Sequence, residues 1–515
     1  MILINYFIMS YSYITLLSNS LKTILPEIFL ISSIFIVLLF GLIYQNRSIE
    51  YYSNNKISTT SVVGWQSIGI FIITGILYLN SVLPEATIFN GILINQYYAN
   101  IFKIFLVFLA AIVLIISYRF LEYEKLDTWE YYTLVSLATL GLVLLLSSND
   151  LISTYLALEL MSLSLYIIAT LRRNSEFSNE AGLKYFVLGA FSSGLILFGS
   201  SLLYGFTGST NFEDIKQIIN LLQLTNFLDE DLSLALLIGL IFFGIGLLFK
   251  LAAAPFHMWC PDVYEGAPTS VTAFFAMVPK LGVLIFFIHF FQDITFEFFV
   301  SWKSLLVFSC ILSIIISSFA AINQRHIKRI LAYSGIGHIG YILIGFIAGT
   351  IEGIEAIFLY TFIYMVMNIS FFALLMSIYG QGKEERIRFL TDFKFLAKSN
   401  PVIAAVFAML VLSLAGVPPL AGFISKLYIF IAAVNVQLYF LAIIAIVTSC
   451  VGAYYYIRFI KVMYFEKNTE WNNQIIINKE NSLIISYSTL YIMFFFMWPS
   501  HLLLLSKHLT ILMFI

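Results

Sequence analysis

The stretch GIGLLFKLAAAPFHMWCPDVYEGAPT, residues 244–269, places a lysine and a proline inside a segment that is otherwise apolar enough to lie in lipid. Pro255 has no backbone N–H, so the carbonyl of Leu251 loses its usual helical partner one residue after Lys250. Irregular backbone at membrane depth is tolerated only inside protein or beside water. The stretch therefore predicts a broken membrane helix next to a buried cation.

A second stretch, LSLAGVPPLAGFISKLYIF at residues 412–430, has the same character. Pro418 and Pro419 interrupt it, and Lys426 follows about two helical turns later. Two interrupted apolar segments that each carry a lysine are the pattern expected for a transporter with inverted repeats. Kinks alone are ordinary in membrane helices, but the repeated combination of kink and lysine favours a functional interpretation.

The composition indicates a membrane protein that crosses the bilayer many times. Of 515 residues, 61% are hydrophobic and only 11% are charged, whereas soluble domains carry about 25% charged residues. The net charge of −1 gives no indication of nucleic-acid binding. The three cysteines have no metal-binding spacing, and the six histidines form no evident haem pair. We therefore expect no cofactor and no metal in this chain.

A membrane helix needs about 20 apolar residues, and this criterion predicts an all-α fold with about fourteen spans and no extramembrane domain. The predicted spans lie near residues 23–43, 64–83, 97–118, 130–148, 150–171, 181–206, 232–253, 268–290, 301–322, 327–349, 353–379, 401–432, 438–460 and 482–505.

The basic residues support this count of spans. Eighteen of the 27 lysines and arginines fall in connections after odd-numbered spans, and only four fall in the other connections and the termini. One missed span would mix the two groups. By the positive-inside rule, both termini face outward, away from the compartment in which the chain is made.

The remaining five basic residues lie inside predicted spans, together with one glutamate. A charge at bilayer depth costs roughly 2.5–3.5 kcal/mol on insertion scales, so such residues mark an ion or proton path. The set consists of Lys103, Lys184, Lys250, Lys280, Lys426 and Glu159. Lys103 is near the end of its span and is expected to reach the lipid headgroups.

A glutamate and a lysine that lie close together inside a protein both stay charged, and a change in their separation or hydration changes their proton affinities. We predict that Glu159 accepts and donates protons, paired with Lys184, Lys250 or both. Lys280 is the predicted carrier in the middle of the path. Lys426 is the predicted far exit or entry.

Two histidines are further candidates. His257 follows Lys250 by seven residues, and its unperturbed pKa lies near neutral pH, which suits a proton shuttle. The alternative is a histidine bonded to backbone near the break. His338 is a weaker candidate of the same kind.

Three acidic residues are expected to be ordinary. Asp262 and Glu265 fall in the connection after the seventh span and are expected to be solvated or structural. Glu27 follows Pro26 at the start of the first span, where a carboxylate favours the helix N-terminus.

Four motifs resemble one known family, the chain 2 family of NADH–ubiquinone oxidoreductase, whose members are antiporter-like membrane subunits of respiratory complex I. The motifs are FKLAAAPFHMWCPDVYEGAPT at 249–269, LAGVPPLAGFISKLYIF at 414–430, HIKRILAYSGIGHIGY at 326–341 and EAGLKYFVLGAFSSGLILFGSSLLYGFTG at 180–208. The resemblance implies fourteen membrane helices in a single transmembrane domain, residues 1–515. It implies two inverted five-helix repeats, at 130–290 and 301–460, with helices 7 and 12 broken. Three helices at 23–118 precede the repeats, and one at 482–505 follows.

The resemblance also implies a proton-translocating function along the residues named above, driven by quinone reduction in other subunits. NAD, FMN, iron–sulfur clusters and ubiquinone are then bound elsewhere in the complex. The implied partners are other membrane subunits, including the antiporter-like chain 4 and the small membrane subunits, and phospholipids. The implied location is the mitochondrial inner membrane, with basic loops toward the matrix and both termini toward the intermembrane space.

Several alternatives stay open at this point. A plastid or a bacterial plasma membrane fits the same pattern of charges. A subunit of a multi-chain Na⁺/H⁺ antiporter has the same fold and lysines. A scaffold whose charges only clamp neighbouring subunits is the third hypothesis.

Overall fold

The computed structural model describes residues 2–44, 49–50, 56–57, 59–80, 86–224, 230–380, 388–394, 396–466, 473–475 and 477–514. Four basic residues that contribute to the predicted topology lie outside the described residues, namely Arg47, Lys383, Arg386 and Lys467, as do residues 81–83 of the second predicted span.

The first half of the chain contains ten helices and two short hairpins among the described residues. These are α1 (Ile2–Tyr44), β1 (Ile49–Glu50), β2 (Lys56–Ile57), α2 (Thr59–Asn80), β3 (Ala86–Ile88), β4 (Leu93–Asn95), α3 (Tyr97–Tyr123), α4 (Trp129–Ser147), α5 (Leu151–Ala169), α6 (Glu176–Thr207), α7 (Phe212–Leu224), α8 (Glu230–Leu251), α9 (Trp259–Gly266) and α10 (Thr269–Ile288). A π-helical turn, His289–Ile294, extends α10.

The second half continues in the same way. It contains α11 (Phe299–Ile322), α12 (Ile327–Ala348), α13 (Ile351–Leu375), β5 (Ile378–Gly380), α14 (Leu396–Ser399), α15 (Pro401–Ala415), α16 (Ala421–Asn435), α17 (Tyr439–Tyr464), β6 (Asn473–Ile475), α18 (Lys479–Phe494) and α19 (Ser500–Phe514). Among the described residues, the strands pair antiparallel in twos: β1 with β2 and β3 with β4 as hairpins, and β5 with the distant β6. Two 3₁₀ turns lie at Phe296–Phe298 and Leu390–Phe393.

The predicted all-α membrane fold is confirmed. Among the described residues, twelve helices are long and apolar enough to cross a membrane. They correspond to predicted spans one to eleven and thirteen. Predicted spans twelve and fourteen are each built from two shorter apolar helices. The division into repeats stays a prediction.

Both predicted helix breaks are present. Helix α8 ends at Leu251, and α9 begins only at Trp259, with Ala252 in the left-handed region at φ 62°. Helix α15 ends at Gly416, whose φ of 86° suits a residue without a side chain. The prolines that follow cannot continue a helix, so each lysine lies close to an interruption of the helical backbone.

Two elements differ from the predicted pattern of spans and connections. The connection at 207–231 contains the amphipathic helix α7, which buries Phe212, Ile215 and Ile219 along one side. Its 13 residues are too few to span a bilayer. The predicted span 482–505 is instead two helices, α18 and α19, because Pro499 interrupts it.

The bundle has a buried centre. All residues in the most apolar 18-residue stretch of α10 are buried. The buried share of the corresponding stretch is 94% in α12 and α13, but only 33% in α1 and α6. The outer helices therefore present apolar side chains outward, as a lipid-facing surface requires. The central helices carry Lys280 and His338 away from the lipid.

Candidate functional site

Lys250 is buried at the end of α8, against helix α5. Its Nζ lies 3.4 Å from the hydroxyl of Tyr166 and 5.8 Å from the centre of that ring. Glu159, about two turns earlier on α5, is half-buried and accepts a hydrogen bond from Ser162 at 3.3 Å. The Lys250 and Glu159 charges attract each other, but no direct ion pair joins Glu159 to a lysine in the described part of the chain.

Lys184 differs from its prediction. Its side chain is 44% exposed, and its Nζ pairs with Glu180 at 2.7 Å and with Asp262 at 3.0 Å. Of the two predicted partners of Glu159, Lys184 is therefore paired with other carboxylates in this structure. Helix α6 buries the side that carries Tyr185 and Gly189, and Lys184 falls on the opposite side.

Lys280 is a buried charge without a hydrogen-bond partner in the described part of the bundle. The residue is only 2% exposed, and its Nζ has no hydrogen-bond partner among the described residues. The ammonium lies 5.6 Å from the centre of the Tyr264 ring. It also rests against Gly335 of α12, where an added Cβ would lie 2.8 Å from Nζ. A water or a mobile proton partner is therefore needed at this position.

His338 lies between the buried lysines of the two halves. Its Nδ1 is 2.6 Å from the hydroxyl of Tyr360, and its ring centre is 4.8 Å from that of Tyr364. Lys280 and Lys426 both act on its charge electrostatically. The imidazole is buried, so this contact fixes the orientation of a titratable ring at the centre of the bundle.

Lys426 is buried beside the second helix break. Its Nζ donates a 2.7 Å hydrogen bond to the carbonyl of Ala415, the last residue of α15. A cavity of 20 Å³ touches both Lys426 and His338 and is also lined by Ser334 and Thr448. A polar cavity of this size has room for about one water molecule. A larger cleft of 490 Å³ opens from Lys426 toward the surface between Phe423 and Phe430.

His257 lies in the interruption between α8 and α9. It is buried, and its Nδ1 has no hydrogen-bond partner among the residues described. Its role as a shuttle stays a prediction.

The acidic residues of α9 form a network that the sequence analysis did not predict. Arg329 donates to Asp262 at 2.6 Å and to Glu265 at 2.9 Å, while His326 faces Glu265 at 3.4 Å. Asp262 also holds Lys184. The two carboxylates are three residues apart and therefore share one side of a helix. The spacing of the two carboxylates could have indicated this helix, but hydropathy alone predicts a connection here.

A second unpredicted pair lies in the N-terminal helices. Lys103 of α3 contacts Glu27 of α1 at 3.0 Å, and their side chains are 1% and 8% exposed. Lys103 does not reach the headgroups as predicted, and Glu27 is not at a helix start, because α1 continues through Pro26. The carboxylate stabilises the lysine inside the bundle.

Comparison with known proteins places this geometry in a family. Residues 148–452 match the family model described as NADH:quinone oxidoreductase/Mrp antiporter, TM. NADH-ubiquinone oxidoreductase chain 2 of Marchantia polymorpha is 41% identical over 491 residues, covering 94% of this chain and 97% of that protein. NADH-quinone oxidoreductase subunit N 1 of Rhizobium meliloti is 42% identical over 448 residues, covering 87% and 89%.

Solved structures have the same fold. A chain of respiratory complex I from Thermus thermophilus with bound aureothin matches with a TM-score of 0.73 and 25% identity, over 93% of this chain and 98% of that chain. A chain of the Mrp complex from Dietzia matches with a TM-score of 0.78 over 95% and 97%, but at 17% identity the likeness shows the fold alone. On the strength of the sequence relatives, this chain belongs to the NADH-ubiquinone oxidoreductase chain 2 family, which includes the bacterial subunit N proteins.

Proposed function

We propose that this chain is a proton-translocating subunit of the membrane arm of an NADH:ubiquinone oxidoreductase. Its relatives are named as subunits of that enzyme. The observation that carries the proposal is the buried Lys280, which lacks a hydrogen-bond partner among the described residues and lies on α10, a helix that contacts both α8 and α12. A fixed structural lysine would be expected to have a carboxylate beside it, as Lys103 has.

In this proposal, protons move along Glu159, Lys250, Lys280, His338 and Lys426. Each ammonium is desolvated, so a small change in the charge of its neighbour shifts the free energy of protonation at the next site. The single-water cavity between His338 and Lys426 supplies one connection. His257 acts as a proton shuttle at the broken helix near Lys250. Lys184 lies outside the buried row and acts on its edge only through its charge.

The free energy that drives proton translocation comes from quinone reduction in other subunits of the complex. NAD, FMN, iron–sulfur clusters and ubiquinone are bound there, and this chain contributes no redox centre. The partners in the membrane arm are the antiporter-like chain 4, the small membrane subunits and phospholipids. The complex lies in the mitochondrial inner membrane, with the basic connections toward the matrix and both termini toward the intermembrane space, as the distribution of lysine and arginine supports.

The test is Lys250→Met in the assembled complex, measured as NADH–ubiquinone turnover and as proton pumping in sealed vesicles. We expect both to fall strongly while assembly stays intact. Lys303→Met is the matched control, because Lys303 lies on α11 next to Phe299, outside the buried row. The control is expected to keep both activities.

Each alternative has its own outcome. Unchanged pumping in Lys250→Met would contradict the proposal. Loss of assembly alone would favour a scaffold, and a sodium requirement without dependence on NADH oxidation would favour an antiporter.

A further inference from the structure

A pocket of 280 Å³ lies outside the proton path, on the side of the basic connections. Three cationic side chains line it, Arg172, Lys328 and Arg388. They come from the connections after spans five, nine and eleven, which the positive-inside rule places on one side of the membrane. The pocket therefore collects positive charge from both halves of the chain at the inner surface.

The three cations are close enough to repel one another. Burial is the main reason that the pKa of the Arg172 guanidinium is lowered, and the neighbouring Arg388 adds to this effect. Arg172 forms an ion pair with Glu124, and Lys328 donates to the carbonyl of Ala267 at 2.7 Å. Glu124 balances only part of this charge, so an additional anion would stabilise the cluster.

The only carboxylate that lines the pocket, among the described residues, is already engaged. Glu265 accepts a hydrogen bond from Arg329 at 2.9 Å and faces His326 at 3.4 Å. Its charge is therefore shared between Arg329, which it contacts, and the nearby Lys328. The pocket keeps an excess of positive charge.

Three long helices also begin at this pocket. Ser175, Thr269 and His326 lie at the N-termini of α6, α10 and α12, and all three residues line the cavity. No side chain caps the N-terminus of any of these helices. The first N–H of α12, that of Ile327, donates to the carbonyl of Arg388, but the helix dipoles at the three N-termini still attract anions and add to the effect of the side chains.

Beside the pocket, the N-terminal half of α6 carries a strip of exposed apolar side chains. Phe177 lines the pocket and is 66% exposed. Leu183, Val187 and Phe191 follow at exposures of 65%, 61% and 68%. Such an arrangement offers a polar site for a headgroup and an adjacent surface for hydrocarbon chains. The volume is below the roughly 300–1,000 Å³ of pockets that hold drug-sized ligands, which favours a phosphate headgroup over a nucleotide.

We propose that this pocket binds the phosphate of an anionic phospholipid from the inner leaflet, with its acyl chains along the exposed strip of α6. Lys328, Arg388 and the helix N-termini hold the phosphate, and Arg172 adds its charge from the partly buried side. The lipid would join α6 and α10 of the first half to α12 of the second half. This inference does not depend on the proton path.

The experiment uses the purified, assembled complex after delipidation. The probe is phosphatidylglycerol with a photoreactive group on one acyl chain, and crosslinked peptides of this chain are quantified by mass spectrometry. We expect labelling of the 176–191 segment. Each lost surface cation weakens anionic-lipid binding by about fivefold, so Arg388→Gln should weaken it about fivefold and Arg388→Gln with Lys328→Gln roughly 25-fold.

Arg173→Gln is the matched control, because Arg173 is an exposed neighbour of Arg172 that does not line the pocket. We expect its labelling to equal that of the unaltered complex. If the double variant fails to assemble, Arg388→Gln carries the test, since Arg388 is exposed at the rim.

Competition separates a lipid from free phosphate. Unlabelled phosphatidylglycerol is expected to displace the probe, whereas phosphatidylcholine and inorganic phosphate at the same concentration are not. Labelling that persists in both pocket variants, or that falls equally in Arg173→Gln, would overturn the proposal. Displacement by inorganic phosphate as effective as by lipid would also overturn it. Proton pumping is not the readout, so failure here leaves the proposed function intact.

Discussion

The buried ammonium groups of this chain are held in different ways. Lys103 contacts a carboxylate, Lys426 a backbone carbonyl, and Lys250 a tyrosine hydroxyl. Lys280 has no hydrogen-bond partner among the described residues and lies near the Tyr264 ring and Gly335. A lysine with a carboxylate at contact distance has its charge compensated, whereas the other three have no carboxylate at contact distance among the described residues. The contacts thus separate one structural lysine from three that suit proton transfer.

The buried Lys103–Glu27 pair predicts that loss of one partner alone destabilises the complex. Removing one member of a buried ion pair typically costs about 3–5 kcal/mol, because the other charge stays buried without compensation. We therefore expect Lys103→Met to lower the thermal stability of the purified complex strongly. Glu27→Gln combined with Lys103→Met should recover most of the loss.

A double-mutant cycle on the unfolding temperature measures this coupling. Lys22→Met is the control, since Lys22 is an exposed lysine on the same α1 helix, and it should be neutral. Additive effects of the two substitutions would show that the pair does not stabilise the bundle.

Gly335 predicts an effect on activity without a loss of stability. An alanine Cβ there would lie 2.8 Å from the Lys280 Nζ and 3.2 Å from the Tyr364 hydroxyl. We expect Gly335→Ala to displace the ammonium and reduce NADH–ubiquinone turnover. Alanine in a helix interior is favoured over glycine by roughly 0.5–1 kcal/mol, which offsets part of the strain.

Gly194→Ala is the matched control, because nothing lies within 4 Å of its Cβ position on α6. It should gain the same helix propensity and keep full turnover. Equal turnover in both variants would mean that the position of the Lys280 amine does not matter.

The sequence predicted some of these residues and not others, for physical reasons. Lys250, Lys280 and Lys426 were predictable, because a charged residue within a long apolar segment must lie at membrane depth. The exposure of Lys184 was not, since it depends on which side of α6 packs inward. The network around Asp262 requires a short helix that hydropathy alone does not reveal.

At the scale of elements, chain interruptions were the most predictable feature. Proline removes a donor wherever it occurs, so the breaks before α9 and α16 follow from Pro255 and Pro419 without knowledge of packing. The amphipathic helix α7 depends on packing of one side against the bundle. Because its other side is polar, its average hydropathy does not distinguish it from a connection. The split between α18 and α19 also coincides with a proline, Pro499, and was therefore predictable in the same way.

The break before α16 yields a prediction about Gly416. This residue has φ of 86°, and an added Cβ would lie 2.9 Å from Cδ and 3.1 Å from Nζ of Lys426. We expect Gly416→Ala to lower stability by about 1 kcal/mol through backbone strain and to reduce turnover by moving the amine from the Ala415 carbonyl.

Gly208→Ala separates the two effects. Gly208 ends α6 with a φ of 73°, and nothing lies within 4 Å of its Cβ position. It should lose similar stability, measured by thermal unfolding, and keep its turnover. A loss of turnover in Gly208→Ala as large as in Gly416→Ala would assign the effect to strain alone.

At the scale of the whole molecule, the buried centre sets the direction of the path. Helices α10, α12 and α13 are shielded from lipid by the other helices. The charges on α10 and α12 therefore lie at the middle of the bundle, between the two broken helices. We expect a row of this kind to run along the membrane plane, which suits transmission between neighbouring subunits more than direct passage through one chain.

The orientation of the whole bundle is the last prediction, and helix α6 is the place to test it. Arg173 precedes this helix, and Glu213 follows it on α7; both are exposed. The excess of basic residues predicts that Arg173 faces the matrix and Glu213 the intermembrane space. Single cysteines are introduced as Arg173→Cys and Glu213→Cys on a Cys450→Ser background, because Cys450 is the exposed native cysteine while Cys260 and Cys310 are buried. A membrane-impermeant maleimide should label Arg173→Cys only in inverted inner-membrane vesicles and Glu213→Cys only in right-side-out ones. The opposite pattern would reverse the topology, and labelling of both from one side would mean that α6 does not cross the membrane.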